Sequence, residues 1–211
     1  MAKTAYLTFD DGPTKNSQAI RDILDQGHAK GTFFIQGNHI QEKYRELLQK
    51  MAQEGHYLGL HSMTHQHDWL YVHQDHPQNF LGEMREVQEL LAGITGHEST
   101  LYRPPFGSHG NFTDPLAQTM KESGLRCWDW HIDTKDWDIA TTAEEIFDKV
   151  KTYIEENVAP SPVVILFHEH HESTLQSLPR VIKYLQSKGY HMKAYQESEH
   201  FTLNSLQIEG L

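Results

Sequence analysis

The chain has almost no cysteine, no long apolar run and no surplus of positive charge. Cys127 is the single cysteine among 211 residues. That excludes an intrachain disulfide and a cysteine-type zinc site, and leaves a small buried strand position as its expected place. No stretch of about 18 apolar residues occurs, so no segment is expected to span a membrane. A signal-peptide pattern is also missing, because strand-like residues begin almost at Met1. The chain is then cytosolic, or a targeting or anchoring segment lies outside it. The 18 Lys and Arg are outnumbered by 29 Asp and Glu, for a formal charge of −11. This argues against a polyanionic partner such as nucleic acid and suits a neutral or cationic ligand. Repeats, low-complexity tracts and Pro/Ser-rich linkers are lacking too, so one domain over residues 1–211 is the simplest reading.

What is present is regular. With 37% apolar and 22% charged residues, the composition is that of a globular protein. Strand-like runs occupy Ala5–Phe9, Thr32–Ile35, Tyr57–Leu60, Thr100–Arg103, Arg126–Trp130, Val163–Phe167 and His191–Tyr195. Between them, apolar residues recur at helical spacing. Ile20, Ile23 and Leu24 begin the series, and Val181, Ile182 and Leu185 end it. Gly27, Gly31, Gly55, Gly124 and Gly189 fall near helix ends, where a left-handed residue is expected. Strands alternating with helices predict an α/β fold with about seven parallel strands, in a closed or open sheet. In barrels of this kind reactive side chains gather at the C-terminal strand ends. Here Asp10 and Asp11 follow the first strand, His61 and His65 the third, and Arg103 closes the fourth. Asp133 and Asp136 follow the fifth, and His168 the sixth.

The sequence holds 16 histidines, and two of them stand out. In His61-Ser62-Met63-Thr64-His65 the imidazoles are four residues apart, a spacing that would share one face of a helical turn. With an Asp from another strand end they make a three-ligand site for a zinc-like divalent cation. Such an ion lowers the pKa of water and polarises a carbonyl. Hydrolysis then needs a base and an acid. A carboxylate beside the metal ligand and a His on another strand are available. Arg103 could hold a carboxylate through a forked hydrogen bond.

Thr8-Phe9-Asp10-Asp11-Gly12-Pro13, His61-Ser62-Met63-Thr64-His65, Arg103-Pro104-Pro105-Phe106-Gly107, Asp133-Thr134-Lys135-Asp136-Trp137 and Leu166-Phe167-His168 occur in this order. Together they resemble the five motifs of the polysaccharide deacetylases, also called the NodB-homology family or carbohydrate esterase family 4. The resemblance runs from about residue 4 to residue 196. It implies a distorted (β/α) barrel that removes N-acetyl, or in some members O-acetyl, groups from a sugar polymer. It further implies Asp10 as general base, with Arg103 orienting it, and His168 as general acid tuned by Asp136. Asp11, His61 and His65 would bind the divalent metal, zinc first, with cobalt, nickel or manganese as alternatives. The Phe106 N–H would serve the oxyanion, and Trp137 and Leu166 would line the acetyl pocket. Phe106 stands where Tyr is common in the family.

The phrasing around Gly96-His97-Glu98 and Trp128–Asp133 is most similar to bacterial members acting on N-acetylglucosamine in peptidoglycan. Chitin oligomers and acetylated xylan are the alternatives. The resemblance also implies a secreted or surface location, and a monomer is expected. A non-catalytic glycan-binding relative would have lost the base or a ligand, and both are present. A serine hydrolase would need a G-x-S-x-G elbow, and Gly107-Ser108-His109-Gly110 has the wrong spacing. His168-Glu169-His170-His171-Glu172 fails the HExxH pattern at position 172. His170 and His171 read as loop residues, Trp128 and Trp130 as core residues facing one side, and Trp69 and Tyr71 as packing residues rather than an exposed rim.

Overall fold

Strands and helices alternate along most of the chain. The computed structural model describes residues 3–157 and 161–211. β1 (Lys3–Gly12), α1 (Ser17–Gln26), β2 (Gly31–Ile35), α2 (Glu42–Gln53), β3 (Tyr57–Leu60) and α3 (His76–Thr95) form the first half. β4 (Leu101–Tyr102), α4 (Asp114–Ser123), β5 (Arg126–Cys127), β6 (Ile132–Asp133), α5 (Ala143–Glu156), β7 (Val163–His168), α6 (Glu172–Ser187) and β8 (Tyr190–Met192) follow. All strand pairs are parallel, in the order β5-β4-β3-β2-β1-β7-β6, with β8 beside the start of β1.

Of the expected fifth strand, Arg126–Trp130, only Arg126–Cys127 is strand, and an unexpected strand follows at Ile132–Asp133. The first of these pairs with β4, and the Trp128 N–H still donates to the Tyr102 carbonyl at 3.0 Å. Three residues later the His131 N–H donates to the Val164 carbonyl at 2.9 Å, and β6 continues along β7. One extended segment leaves one end of the sheet and joins the other, which curls the sheet into the distorted barrel. In the gap the Trp128 and Asp129 carbonyls turn to the Arg103 guanidinium, at 3.0 and 2.8 Å, instead of to a strand.

Period-two alternation sorts the side chains. Ala5, Leu7 and Phe9 of β1, Phe33 and Ile35 of β2, and Val163, Ile165 and Phe167 of β7 belong to the main core cluster that packs with the helices. Their neighbours Tyr6, Phe34 and Val164 join Tyr57, Leu101, Trp128 and Tyr195 in a second cluster. Continuing along the β1 inward face, Thr8 meets Arg103 and Asp10 reaches the strand end. The barrel interior is therefore layered, apolar at its floor and charged at its mouth.

Not every glycine serves a helix end. Gly55, Gly124 and Gly189 are left-handed as expected, and Gly96 is too, but Gly27 and Gly31 are not. At that corner His28 takes the positive φ. Gly31 lies in β2, where an added Cβ would sit 2.9 Å from Leu24 Cδ1 and 3.1 Å from the Phe9 ring. It is small because the core leaves no room. Trp128 and Trp130 both pack on the inner cluster, as their spacing predicts, but Trp130 is only partly buried and reaches up to the strand ends.

Trp128 is fully buried, with Tyr6, Tyr195 and Phe201 rings at 4.9, 4.9 and 4.8 Å and its Nε1–H on the Phe201 carbonyl. Trp128→Ala is expected to destabilise by about 3–5 kcal/mol, read as a lower urea midpoint. An unchanged midpoint would mean that the floor of the barrel collapses to fill the space.

Candidate active site

In a regular strand Asp10 and Asp11 would point to opposite faces. They do not, because β1 bulges between Asp10 and Gly12 against β2, and Asp11 takes a left-handed φ of 67°. Bulges re-aim side chains next to active sites, and this one turns both carboxylates into the mouth. On the other flank of β1, Asp10 stands directly opposite His168 in the β7 register. Arg103 donates from one nitrogen to Asp10 Oδ1 and Thr8 Oγ1, each at 2.8 Å. Both residues of this ion pair are buried, and the guanidinium lies 4.2 Å from the Phe34 ring centre.

His61 and His65 close in on Asp11. Their Nε2 atoms lie 3.3 and 3.5 Å from Asp11 Oδ1, a buried oxygen with no hydrogen-bond donor. These two spacings match the edge of about 3.4 Å expected between tetrahedral ligands at zinc-like bond lengths. Among the described residues, Asp11, His61 and His65 form the one group of His, Cys and acidic side chains able to hold a metal ion. The His61 Nδ1 is held by the Arg103 carbonyl at 2.8 Å, which leaves Nε2 for a ligand bond. Burial, then the neighbouring His61, depresses His65 to about 4. Burial raises the Asp11 carboxyl, but His61, His168 and His65 outweigh it and hold it below the usual carboxylate range. The His61–His65 segment is not the helical turn that its spacing suggests. Ser62 and His65 are left-handed, at φ 62° and 57°, and it is this tight turn that converges the two rings.

Across the mouth, His168 Nδ1–H bonds Asp136 Oδ1 at 2.8 Å. The fully buried Asp136 also accepts from the His168 N–H and the Thr174 hydroxyl, both at 2.7 Å. Burial pulls His168 down, but the bond to Asp136 and the charges of Asp10, Asp136 and Asp11 lift it to about 9. The next residue, Glu169, is fully buried behind Gly12 and accepts from the Ser17 hydroxyl. Burial raises its carboxyl to about 8, against that hydrogen bond. His170 is a loop residue 3.9 Å from Asp11 Oδ2.

A cavity of about 430 Å³ is bordered by Asp10, Asp11, His61, His65, Phe106 and His168, together with Trp130, Asp133, Trp137 and Leu166. All ten residues singled out in the sequence thus come together, with Arg103 and Asp136 just behind the wall. Trp130 and Asp133 are additions that sequence reading left in the core and at a strand end. Thr174 and Glu83 also escaped it, because each sits on a helix remote in sequence from the loop it holds. Tyr71 is buried, its hydroxyl on the Pro105 carbonyl at 2.7 Å, while Trp69 is exposed.

A parallel barrel thus brings a His–Asp cluster able to hold a cation, an arginine-held carboxylate and an aspartate-held imidazole to one mouth. The polysaccharide deacetylase family model matches residues 1–128. A peptidoglycan-N-acetylglucosamine deacetylase of Bacillus cereus is 38% identical over 207 residues, covering 96% of this chain and 72% of the relative. A putative polysaccharide deacetylase of Bacillus subtilis, YheN, is 34% identical over 89% of this chain, which spans only 65% of that relative. The crystal structure of the polysaccharide deacetylase Bc1974 from Bacillus cereus superposes with a TM-score of 0.88 at 35% identity, covering 99% of this chain and 100% of that one. The chain belongs to the polysaccharide deacetylase family.

His61→Ala is expected to weaken zinc binding by more than the roughly 10–100-fold that outer-shell changes produce, measured by competition with a chromophoric chelator. Wild-type affinity would remove His61 from the ligand set.

Proposed function

We propose that this chain is a metal-dependent deacetylase that releases acetate from N-acetylglucosamine residues of peptidoglycan. The observation that carries the reading is the opposition of Asp10 and His168 on neighbouring strands beside the Asp11/His61/His65 cluster. The two nitrogens and one carboxylate suit zinc best, and cobalt, nickel or manganese would accept the same donors. When bound, such a cation supplies Lewis acidity toward a carbonyl oxygen and a lowered pKa for water.

The protein groups divide the proton work. Asp10, oriented by Arg103, takes a proton from the attacking water. The Phe106 N–H donates to the oxyanion that develops on the acetyl carbonyl oxygen. Phe106 borders the cavity in the loop after β4, which supports this use. His168, kept protonated by Asp136, gives its Nε2 proton to the leaving amine. Trp137 and Leu166 border the pocket for the acetyl methyl. The nearby relative that acts on this sugar supports the choice of polymer. On this reading the chain works at the cell surface as one catalytic domain and a monomer, so light scattering should give the mass of a single chain. Among the described residues no helix is long and apolar enough to cross a membrane.

The deciding experiment is acetate release from peptidoglycan and from N-acetylglucosamine oligomers, with chelator and zinc add-back. Chelator-sensitive release, faster on peptidoglycan, is the expected result. Faster release from chitin oligomers or acetylated xylan would change the polymer, and no release with zinc bound would point to a glycan-binding relative. Asp10→Asn should keep zinc and lower kcat by about 10²–10⁴; loss of zinc instead would exchange the roles of the two aspartates. Asp136→Asn removes the group that raises His168. The protonated imidazole is then lost at a lower pH, and the alkaline limb of kcat/KM moves to lower pH. A limb that stays in place would mean that another group is the acid.

A further inference from the structure

Between the two metal-facing histidines the backbone is held from three directions. The Gly37 N–H donates to the Ser62 carbonyl at 2.9 Å and the Asn38 N–H to the Met63 carbonyl at 3.1 Å. The Ser62 hydroxyl accepts from the His65 N–H at 3.0 Å. Two N–H groups and one hydroxyl of the turn converge on one side chain, Glu83 of α3. Its Oε2 accepts from the Met63 and Thr64 N–H groups, both at 2.9 Å, and its Oε1 accepts from the Thr64 hydroxyl at 2.8 Å. Glu83 is 6% exposed, so no bulk water replaces those bonds. A carboxylate buried on a helix face with both oxygens spent on one loop is costly unless every bond is made.

The turn needs such a clamp. Ser62 and His65 are both left-handed without being glycine, a strained conformation that persists only where the surroundings hold it. His61 is fixed independently by its ring bond to the Arg103 carbonyl. His65 stands at the far end of the turn, its ring against Phe106 at 4.6 Å, so its distance from Asp11 depends on how the turn is shaped. Gly37 leaves room for the Met63 side chain to lie against it, which seats the turn on the loop after β2 while Glu83 draws it toward α3.

We propose that Glu83 is a positioning residue for the metal site: it shapes the 61–65 turn so that His65 meets the ion that His61 and Asp11 hold. The inference rests on the metal-site reading above. Glu83 touches no reacting atom, and its effect passes through the backbone of Met63 and Thr64 to the second imidazole. A group that served only the fold would lower the melting temperature and leave the affinity and the ligand geometry of the folded protein unchanged.

The test uses the whole chain, stripped of metal and reloaded. Zinc affinity is read by chelator competition, and the visible d–d bands of the cobalt-loaded protein report ligand geometry. Glu83→Ala and Glu83→Asp, which keeps the charge but shortens the reach, should each weaken zinc by about 10–100-fold, as loss of outer-shell support does, and change the cobalt bands. Glu83→Gln should rescue both, because its amide oxygen still accepts from the two N–H groups while its NH2 meets the Thr64 hydroxyl. Wild-type affinity and cobalt bands in either Ala or Asp variant would overturn the proposal. Should Glu83→Ala not fold, the Asp and Gln pair decides. Failure of the metal reading itself looks different: wild type and His61→Ala would then bind zinc equally.

Discussion

The structure turns on one buried cation. The Arg103 guanidinium is fully buried, and its described bonds go to Thr8 and Asp10 of β1 and to the Trp128 and Asp129 carbonyls between β5 and β6. It therefore ties β4 to the centre of the sheet and to the segment that closes the barrel. A charge in such a place is tolerated only when its donors are met, so barrel closure and orientation of the carboxylate are one interaction. A lysine could not do this, since the bonds run in three directions from a rigid fork. The Phe34 ring below it, at 4.2 Å, separates this polar layer from the apolar floor.

Strain is concentrated at the same edge. Of the seven non-glycine residues with positive φ among the described residues, five lie at this edge: Asp11 in the β1 bulge, and Ser62, His65, Phe106 and Lys135 in the loops that follow β3, β4 and β6. The parallel ladders below are regular, so the rigid part of the fold is separate from the part that is bent to aim side chains. Backbone strain of this kind persists where the surroundings over-determine it. Here they do, through the bulge against β2, the Ser62 hydroxyl, Glu83, and the bond from the Gly107 N–H to the Pro104 carbonyl at 2.9 Å.

Much of this was legible in residue order, for a simple reason. An apolar run that ends in a charged residue announces both a strand and the direction of its C-terminal end, so Asp10, His61, Arg103 and His168 could be set on one rim. What was not legible depends on backbone bends and on helices far away in the chain. The spacing of His61 and His65 fits a helical turn as well as it fits the left-handed turn that forms. The Arg126–Trp130 run carries no mark of where it changes partners, because the change is dictated by Arg103. Trp130 reads as core and is partly core, yet its partly exposed ring also borders the cavity. Glu83 lies in an amphipathic helix where a buried acid resembles any other solvent-facing one until the turn it holds is seen.

Two adjacent carboxylates at one strand end would ordinarily resist ionising together. The bulge resolves this by giving them different companions. Asp10 has a permanent cation on one oxygen, at 2.8 Å from Arg103, and its other oxygen is 3.8 Å from His61. Asp11 has its Oδ1 left without a donor and facing two imidazoles, the environment of an ion ligand. A carboxylate given to a cation loses its basicity, whereas one held by an arginine at a single oxygen keeps a lone pair to accept a proton. On the function proposed above, the division of labour between base and ligand follows from one left-handed residue, Asp11, which sends neighbours in sequence into different electrostatic settings a few ångströms apart.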